Sequence, residues 1–240
     1  MNNAAQIERI TQNRIVKLFQ EKLNYRYLGN WEERNNNSNI EEEVLKQHLT
    51  KAGYANELIK RAIYHLQAEA RNNDRNLYGN NKEVYKLLRY GKEVSANAAD
   101  RYQRVQYINW NEPEKNDFAI AEEVTILGNK EKRPDIVLYV NGIALGVLEL
   151  KRSTISIGEG IRQNIVNQQS EFIQPFFSTI QLVMAGNDTE GLKYGAIGTP
   201  EKYFLGWKEN IEDNSLLQLD KYLIKICDKK LILELLHDFV

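Results

Sequence analysis

The sequence of 240 residues has few of the side chains that build thiol or imidazole chemistry. Its one cysteine, Cys227, excludes an internal disulfide and any metal site made of several cysteines. Because Cys227 lies in an apolar helical stretch, we interpret it as a buried structural thiol. The three histidines are scattered through predicted helices, and none forms a His/Cys nucleophilic pair at a recognisable spacing: His48, His65 and His237.

The sequence also lacks long apolar runs and an excess of basic residues. No run approaches the roughly 20 apolar residues that a membrane-spanning helix needs, and the polar residues 1–6 contain no signal-peptide core. We therefore expect a cytoplasmic protein. Its 32 basic and 33 acidic residues give a net charge of −1. A protein that binds nucleic acid without partners usually carries an excess of basic residues, so nucleic-acid binding here would need a local basic patch or partner proteins.

The hydrophobic pattern divides the chain into a helical first part and a mixed second part. Residues 1–92 are predicted to be mostly helical, with helices at 41–52, 56–71 and 81–90. Strands are predicted at 105–108, 118–127, 180–185 and 192–197, and helices at 158–173, 200–208 and 215–239. The predicted fold is α/β, with a mixed central β-sheet of about five strands flanked by helices. We expect a helical N-terminal annex over residues 1–100 and a core over residues 101–240. The apolar run at 231–240 has no stop signal, which suggests a fragment of a longer chain.

The most informative stretch is residues 133–151, where two β-rich apolar runs flank Asn141-Gly142, a strong hairpin signal. Three charged residues interrupt this stretch: Asp135 at its start, and Glu149 and Lys151 at its end. Charges inside core strands are costly unless they are paired or bind a metal. The pattern therefore indicates a site for a divalent cation.

The geometry of the turn decides whether the two acids can meet. A two-residue Asn-Gly turn would set Asp135 opposite Leu148 and leave Asp135 and Glu149 on opposite faces of the sheet. A three-residue turn with Gly142 in a left-handed bulge position would put both acids on one face. We therefore predict a bulge at Gly142, or an equivalent one elsewhere in the hairpin.

On one face, this set of residues suits phosphodiester hydrolysis. Two hard carboxylates, Asp135 and Glu149, with the carbonyl of Leu150 are suitable ligands for Mg²⁺. The metal would acidify a bound water and stabilise charge on a phosphate oxygen. Lys151 would orient or activate the attacking water. The alternative interpretation is a Lys–Glu ion pair on an edge strand.

The triplet Glu149-Leu150-Lys151 is a weak signal alone, because such triplets arise by chance roughly two or three times in a chain of this composition. Residues 228–230 also fit the pattern, but they lie in a helical run with no upstream Pro-Asp hairpin. Pro134-Asp135, a hairpin and then the triplet in an apolar strand form a much more specific pattern.

This hairpin resembles the core of the PD-(D/E)XK nucleases. The flanking segments narrow the resemblance to the N-terminal nuclease domain of the type I restriction enzyme R (motor) subunit, and it runs across nearly the whole chain. The segments that carry it are residues 81–91, Asn116-Asp117-Phe118, Lys132-Arg133-Pro134-Asp135, Val147-Leu148-Glu149-Leu150-Lys151, Ala185-Gly186-Asn187-Asp188, Tyr194-Gly195 and residues 201–208.

The resemblance implies Mg²⁺-dependent cleavage of double-stranded DNA without sequence specificity, switched on by an ATP-driven translocase domain downstream. The sequence has no Gly-x-x-x-x-Gly-Lys-Ser/Thr phosphate loop, so ATP would be used by that motor domain. Separate specificity and methylation subunits of a restriction-modification complex are the implied partners. The near-neutral charge is consistent with a domain that is delivered to DNA by others.

The same family has a Gln-x-x-x-Tyr motif on the helix after the lysine strand, which no glutamine here matches fully. Gln163 is followed four residues later by Asn167, and Gln168 by Phe172. The resemblance carries over both glutamines as candidate catalytic residues, with Gln163 preferred because it lies closer to Lys151. Each would position a phosphate or a water-held metal, and a solvated helix face is the alternative for each.

Two kinds of residue remain as additional candidates. Arg162 is a candidate phosphate contact. In this nuclease class an acidic residue on an early helix often completes the site, although acids at a helix N-terminus are favoured by the helix dipole in any case. The acidic candidates are Glu41, Glu42 and Glu43 on an early helix and Glu122 and Glu123 on the neighbouring strand.

Two other functions stay open at this point. The domain could be a non-catalytic docking module that tethers the motor to its partners, which the near-neutral charge and the missing tyrosine favour. It could also be a repair-type exonuclease with the same core, which dependence of cleavage on DNA ends would reveal.

Overall fold

A computed structural model of the chain describes residues 3–97, 99–208 and 215–238, with side chains from residue 8 onward. In this described part there are seven α-helices: α1 Asn3–Glu21, α2 Glu42–Lys51, α3 Asn56–Ala70, α4 Leu77–Tyr90, α5 Ile157–Asn167, α6 Gln218–Ile226 and α7 Lys229–Asp238. The strands are β1 Arg26–Asn30, β2 Lys92–Val94, β3 Gln103–Val105, β4 Phe118–Glu122, β5 Ile136–Val140, β6 Ile143–Leu150, β7 Leu182–Asn187, β8 Gly191–Gly195 and β9 Leu205–Gly206. Short 3-10 helices form at Pro113–Lys115, Gln174–Ser178 and Glu201–Tyr203.

Seven of these strands form one mixed sheet in the order β1-β4-β5-β6-β7-β8-β9. The pairs β1–β4 and β6–β7 are parallel, and the other neighbours are antiparallel. Strands β2 and β3 form a separate antiparallel ribbon. The predicted α/β class, a mixed central sheet flanked by helices, is confirmed, with seven strands in the sheet instead of about five.

Helices cover both faces of the central strands. On one face Ile136, Leu138 and Leu148 belong to a hydrophobic cluster that includes residues of α1, α2, α3, α4, α6 and α7. On the other face Val137 and Val147 pack with residues of α5 and of the segment after it. Because both faces are covered, β5 is a continuous apolar run and β6 is one except for Glu149. A charged residue of these strands can reach water only where the strands end.

The β5–β6 hairpin has a two-residue turn, so the predicted three-residue turn at Gly142 is wrong. Val140 pairs with Ile143, and Asn141 (φ 55°) and Gly142 (φ 83°) both adopt left-handed conformations. A turn of this kind matches the twist of the two strands and favours Asn-Gly. The Asn141 side chain is also buried, where its Oδ1 accepts a hydrogen bond from the Asp117 N–H at 2.7 Å.

A β-bulge occurs further along the same hairpin, and the prediction of a bulge elsewhere in it is confirmed. Tyr139 pairs with Ala144, but the next pair is Leu138 with Gly146. Leu145 is therefore the extra residue. An isolated glycine inside a strand pattern often marks a bulge, and Gly146 was the sequence signal that would have located it. The bulge shifts every later pair of the hairpin by one residue.

Some predicted elements differ from the observed ones. Strand β1 lies in a segment predicted to be mostly helical, and it forms because it pairs in parallel with β4. The strand predicted at 105–108 ends at Val105. Tyr107 and Ile108 are buried by packing, and the Tyr107 hydroxyl donates a hydrogen bond to the Ala62 carbonyl at 2.7 Å.

Three helix predictions are corrected in the second half of the chain. The helix predicted at 158–173 ends at Asn167, and residues 200–208 contain only a 3-10 turn and β9. The helix predicted at 215–239 is divided at Cys227 into α6 and α7, and residue 239 lies outside the described residues.

The division into an annex over residues 1–100 and a core over residues 101–240 stays a prediction. Strand β1 belongs to the central sheet, and one hydrophobic cluster joins α1 with α6 and α7. Within the described ranges, no helix has the length and apolar character needed to cross a bilayer.

Candidate active site

The bulge in the hairpin brings the two acids of residues 133–151 together. Ile136 pairs with Leu148, and the same register places Asp135 opposite Glu149. Side chains of directly opposed residues lie on the same face of an antiparallel pair. The Asp135 carboxylate also accepts a hydrogen bond from the Leu150 N–H at 2.6 Å, which holds it against the end of β6.

Glu149 is fully buried, and few neighbouring groups offset the negative charge of its carboxylate. Its side chain is 0% exposed, and neither carboxylate oxygen has a hydrogen-bond donor in the described part of the chain. The Lys151 ammonium lies 3.7 Å from Oε2. Helix α5 packs closely on β6 and β7 at Gly160, where an added Cβ would lie 3.5 Å from the Glu149 Cβ and 3.1 Å from the Ala185 Cβ. A buried carboxylate without donors is costly unless a cation or a proton neutralises it.

The electrostatics of the pair follow from this burial. Burial raises the pKa of Glu149 well above its usual range, and the negative charge of Asp135 raises it further, while Lys151 acts in the opposite direction. Burial also raises the pKa of Asp135 to about 6, against the lowering effects of the Leu150 N–H and of Lys151. Two adjacent carboxyl groups with raised pKa values gain stability from either a shared proton or a bound cation.

Lys151 is oriented by the first of the two candidate glutamines. Its ammonium, directly after β6, donates a hydrogen bond to the Gln163 Oε1 of α5 at 2.8 Å. Gln168 has other partners, because its Nε2 donates to the Asn164 carbonyl and its Oε1 accepts from the Gly198 N–H at 2.8 Å. The structure therefore brings Gln163, and not Gln168, into contact with Lys151.

A cavity of about 270 Å³ opens beside Asp135 and Lys151. Its wall includes residues of α1, which sequence reasoning did not assign to the site. Glu8 and Gln12 lie on the same helical face as the buried Ile15 and Phe19, so polar residues on an inward-facing stripe were the available signal. The lining residues are Glu8, Arg9, Gln12, Glu123, Arg133, Asp135, Leu150 and Lys151.

Of the acidic candidates on β4 and just after it, only Glu123 lines this cavity. Glu123 has a left-handed backbone (φ 51°), and its carboxylate pairs with the Arg133 guanidinium at 2.8 Å. Glu122 does not line the cavity and is buried beside it, where its carboxylate accepts hydrogen bonds from Tyr27 at 2.7 Å and from the cavity-lining Gln12 at 3.2 Å.

The acidic candidates on the early helix lie at the other end of the hairpin. The Glu41 N–H donates to the Gly142 carbonyl at 2.7 Å, next to the β5–β6 turn. Glu42 and Glu43 follow in the first turn of α2 and are exposed. The five residues of β5 separate this turn from Asp135, a distance of roughly 20 Å at the usual rise per residue.

Arg162, the candidate phosphate contact, is occupied by two carboxylates. Its guanidinium pairs with Glu159 at 2.7 Å and with Glu201 at 2.6 Å. These pairs raise the pKa of Arg162 and offset the positive charge that a phosphate would need.

Two further observations limit the site to the carboxyl pair and its surroundings. A larger cavity, of about 1240 Å³, lies near the turn end of the hairpin and is lined by residues such as His48, Trp110 and Asp117, not by the carboxylates. Within the described residues, no three or more His, Cys, Asp or Glu side chains are grouped so that they could hold a metal ion.

The family model described as "Type I restriction enzyme R protein N terminus" matches residues 6–202. This chain therefore belongs to the family of type I restriction enzyme R protein N-terminal domains.

Curated relatives agree with this family. A Methanocaldococcus jannaschii protein, named as a candidate type I restriction enzyme MjaIXP endonuclease subunit, is 23% identical over 203 residues, 79% of this chain and 19% of that protein. A second protein of that organism, named in the same way as the MjaVIIP endonuclease subunit, is 31% identical over 102 residues, 41% of this chain and 9% of its own length. The Staphylococcus saprophyticus type I restriction enzyme SsaAORF53P endonuclease subunit is 27% identical over 117 residues, 47% of this chain and 12% of its own length. The match thus spans a fifth or less of each relative.

Proposed function

We propose that this domain is a metal-dependent endonuclease that hydrolyses phosphodiester bonds of double-stranded DNA without sequence specificity of its own. The observation that carries the proposal is the buried Glu149 carboxylate, which lies opposite Asp135 and has no hydrogen-bond donor within the described residues. The names of the relatives as endonuclease subunits support the same reaction.

The donor set fits Mg²⁺. Asp135, Glu149 and the Leu150 carbonyl supply hard oxygen ligands, and Mg²⁺ usually binds a few such groups and keeps several waters. Bound there, the ion would acidify a water and stabilise negative charge on the phosphate. The raised pKa values of both carboxyls indicate that the pair gains from a positive charge.

The protein groups around the carboxylates have distinct roles in this proposal. Lys151 directs its ammonium to the reacting phosphate or to the attacking water, where it offsets negative charge. Gln163 holds that ammonium through its Oε1 and so positions it. Gly160 keeps α5 close enough to Glu149 and Lys151 to exclude water from the buried side of the pair.

We propose that the domain acts inside a larger assembly. The relatives are about five times longer than the matched segment or more, which supports a downstream ATP-driven translocase domain in the same type of subunit. Specificity and methylation subunits would select the DNA sequence. A cytoplasmic location, where DNA and ATP are available, belongs to this proposal.

The test is cleavage of closed circular DNA by the R subunit assembled with its partners, with Mg²⁺ or with EDTA. We expect Mg²⁺-dependent cleavage in the parent and its loss in Asp135→Ala, Glu149→Gln and Lys151→Ala, while ATP-driven translocation persists. Glu43→Gln is the matched control, because it removes an exposed acid at the other end of the hairpin. Calorimetric titration with Mn²⁺ adds a readout that does not depend on cleavage, and Glu149→Gln should abolish the binding.

Two outcomes would favour other functions. Translocation without any metal-dependent cleavage in the parent assembly would indicate a docking module. Degradation of linear DNA from its ends, with closed circles left intact, would indicate a repair-type exonuclease.

A further inference from the structure

Most arginines around the candidate active site have a carboxylate partner. Arg9 pairs with Glu122 at 3.2 Å, and Arg133 pairs with Glu123 at 2.8 Å. Arg162, on the helix that covers the site, pairs with both Glu159 and Glu201, as described above. These guanidinium groups are held by the protein itself.

Arg152, directly after Lys151, is different. Within the described ranges it forms no ion pair, and its Nε is buried without a hydrogen-bond acceptor. A buried N–H without an acceptor costs free energy, so native proteins usually supply a partner from protein, water or ligand. Arg152 as a whole is half-buried, so an acceptor from outside the chain would meet the exposed part of this side chain and not the buried Nε itself.

Hydrogen bonds hold the backbone around Arg152. The Ile155 N–H donates to the Arg152 carbonyl at 2.9 Å, which closes a turn after β6. The buried Asn187 donates from its Nδ2 to the Ile155 carbonyl at 2.7 Å, and the Thr189 hydroxyl donates to the Ser153 carbonyl at 3.2 Å. A fixed backbone lowers the entropy that an arginine loses when it binds a ligand.

The carboxylates on the turn that holds this loop are occupied. Asp188 pairs with Arg14 of α1. Glu190 accepts a hydrogen bond from the Ile157 N–H at 2.8 Å, at the start of α5. Neither acid of the 187–190 turn therefore neutralises Arg152, which keeps its charge for an external anion.

We propose that Arg152 binds the DNA backbone phosphate next to the phosphate that is cut, an inference that rests on the proposed function. Lys151 and Arg152 are consecutive residues directly after β6, and their Cα atoms lie about 3.8 Å apart. With Lys151 at the phosphate that is cut, the long Arg152 side chain starts beside it and can meet a neighbouring phosphate of the same strand. The planar guanidinium gives two parallel hydrogen bonds to one phosphate, which fixes the register of the strand over the carboxylates.

The experiment measures binding of the 240-residue chain to a fluorescein-labelled 30-base-pair duplex by anisotropy, with Ca²⁺ in place of Mg²⁺, at several salt concentrations. We expect Arg152→Ala to weaken binding about ten-fold and to reduce the magnitude of the salt dependence by about one phosphate contact. Arg152→Lys should keep the salt dependence and lose only part of the affinity.

Two control variants change the net charge of the protein by the same amount as Arg152→Ala. Arg162→Ala removes an arginine that is already paired, and Arg71→Ala removes an exposed one after α3. Both should bind DNA within about two-fold of the parent. Arg152→Ala binding like these controls would overturn the inference, and so would a loss of affinity that accompanies a lowered melting temperature.

Single-turnover cleavage with Mg²⁺ separates this inference from the proposed function. Arg152→Ala should need more protein for half-maximal rate and reach the parent rate at saturation, because the lost contact stabilises bound DNA and the transition state equally. Asp135→Ala should bind DNA and fail to cut it. Persistent cleavage in Asp135→Ala would overturn the proposed function, whereas an unchanged half-maximal concentration in Arg152→Ala would overturn only this inference. A parent chain that binds no DNA would overturn this inference alone, because the proposed function concerns the assembly and is tested by its cleavage.

Discussion

Replacing Asp135 with asparagine should stabilise the metal-free protein at neutral pH. The Asp135 carboxyl has a raised pKa, about 6 against an ordinary 3.8, because burial outweighs the favourable contacts with the Leu150 N–H and Lys151. Asparagine keeps an oxygen that accepts the hydrogen bond from Leu150 and carries no charge. The substitution therefore removes the cost of ionising a buried group that no metal neutralises.

The magnitude follows from the raised pKa of Asp135. A rise from 3.8 to about 6 corresponds to roughly 3 kcal/mol of lost folding stability above pH 6. Because the carboxyl lines a cavity that admits water, we expect about 1–3 kcal/mol. The folded state retains the proton between pH 3.8 and about 6 and the unfolded state releases it. The parent's free energy of unfolding should therefore fall as pH rises through that window, and the advantage of Asp135→Asn should grow with pH.

The assay is urea unfolding in EDTA at several pH values from about 4.5 to 7.5, the window in which an aspartyl pKa of about 6 changes the charge of the folded protein. Asp74→Asn is the control for loss of one carboxylate from an exposed turn. Addition of Mg²⁺ at a hundred times its Kd should stabilise the parent by about 2.7 kcal/mol and leave Asp135→Asn almost unchanged. A destabilised Asp135→Asn at pH 7.5, or an advantage that does not depend on pH, would refute the reasoning.

The remaining predictions concern the glutamines and the turn. Gln163→Ala should lower the cleavage rate of the assembled enzyme about 10- to 100-fold with little change in stability, because Lys151 loses its acceptor. Gln168→Ala should leave the rate unchanged and lower the free energy of unfolding by about 1–2 kcal/mol, since it removes the acceptor of a backbone N–H; equal losses of activity in the two variants would contradict the assignment. Gly142→Ala should destabilise the chain by about 1–3 kcal/mol in urea unfolding, because φ is 83° and the added Cβ would lie 2.8 Å from the Glu41 carbonyl oxygen.

Much of the fold could be predicted from hydrophobic periodicity alone. The helices α2 and α3, the hairpin and the buried strand β7 are local patterns whose spacing of apolar residues matches the elements that form. Strand β1 had no such pattern, because five residues that include Gly29 and Asn30 form a strand only through pairing with β4. The short strand β9 likewise depends on its neighbour β8.

The candidate site, like the fold, was determined partly by local sequence and partly by tertiary packing. The sequence by itself determined which residue types stand at the strand ends: Asp135, Glu149 and Lys151 interrupt apolar runs and so require compensation. It also showed that Asp135 and Glu149 can share one face of the sheet only if the hairpin contains one extra, unpaired residue. It did not determine where that residue enters, because the turn satisfies the local preference of Asn-Gly and the bulge forms within the strand at Leu145.

Only the tertiary structure decided which other residues reach the carboxylates. Gln163 and Gln168 lie five residues apart on one chain segment, and the packing of α5 on the sheet directs the first to Lys151 and the second to Gly198. Helix α1 contributes Glu8, although more than a hundred residues separate it from Asp135. Contacts between residues so far apart in sequence form when two apolar faces are buried together. A local sequence pattern does not determine which faces will pack against each other.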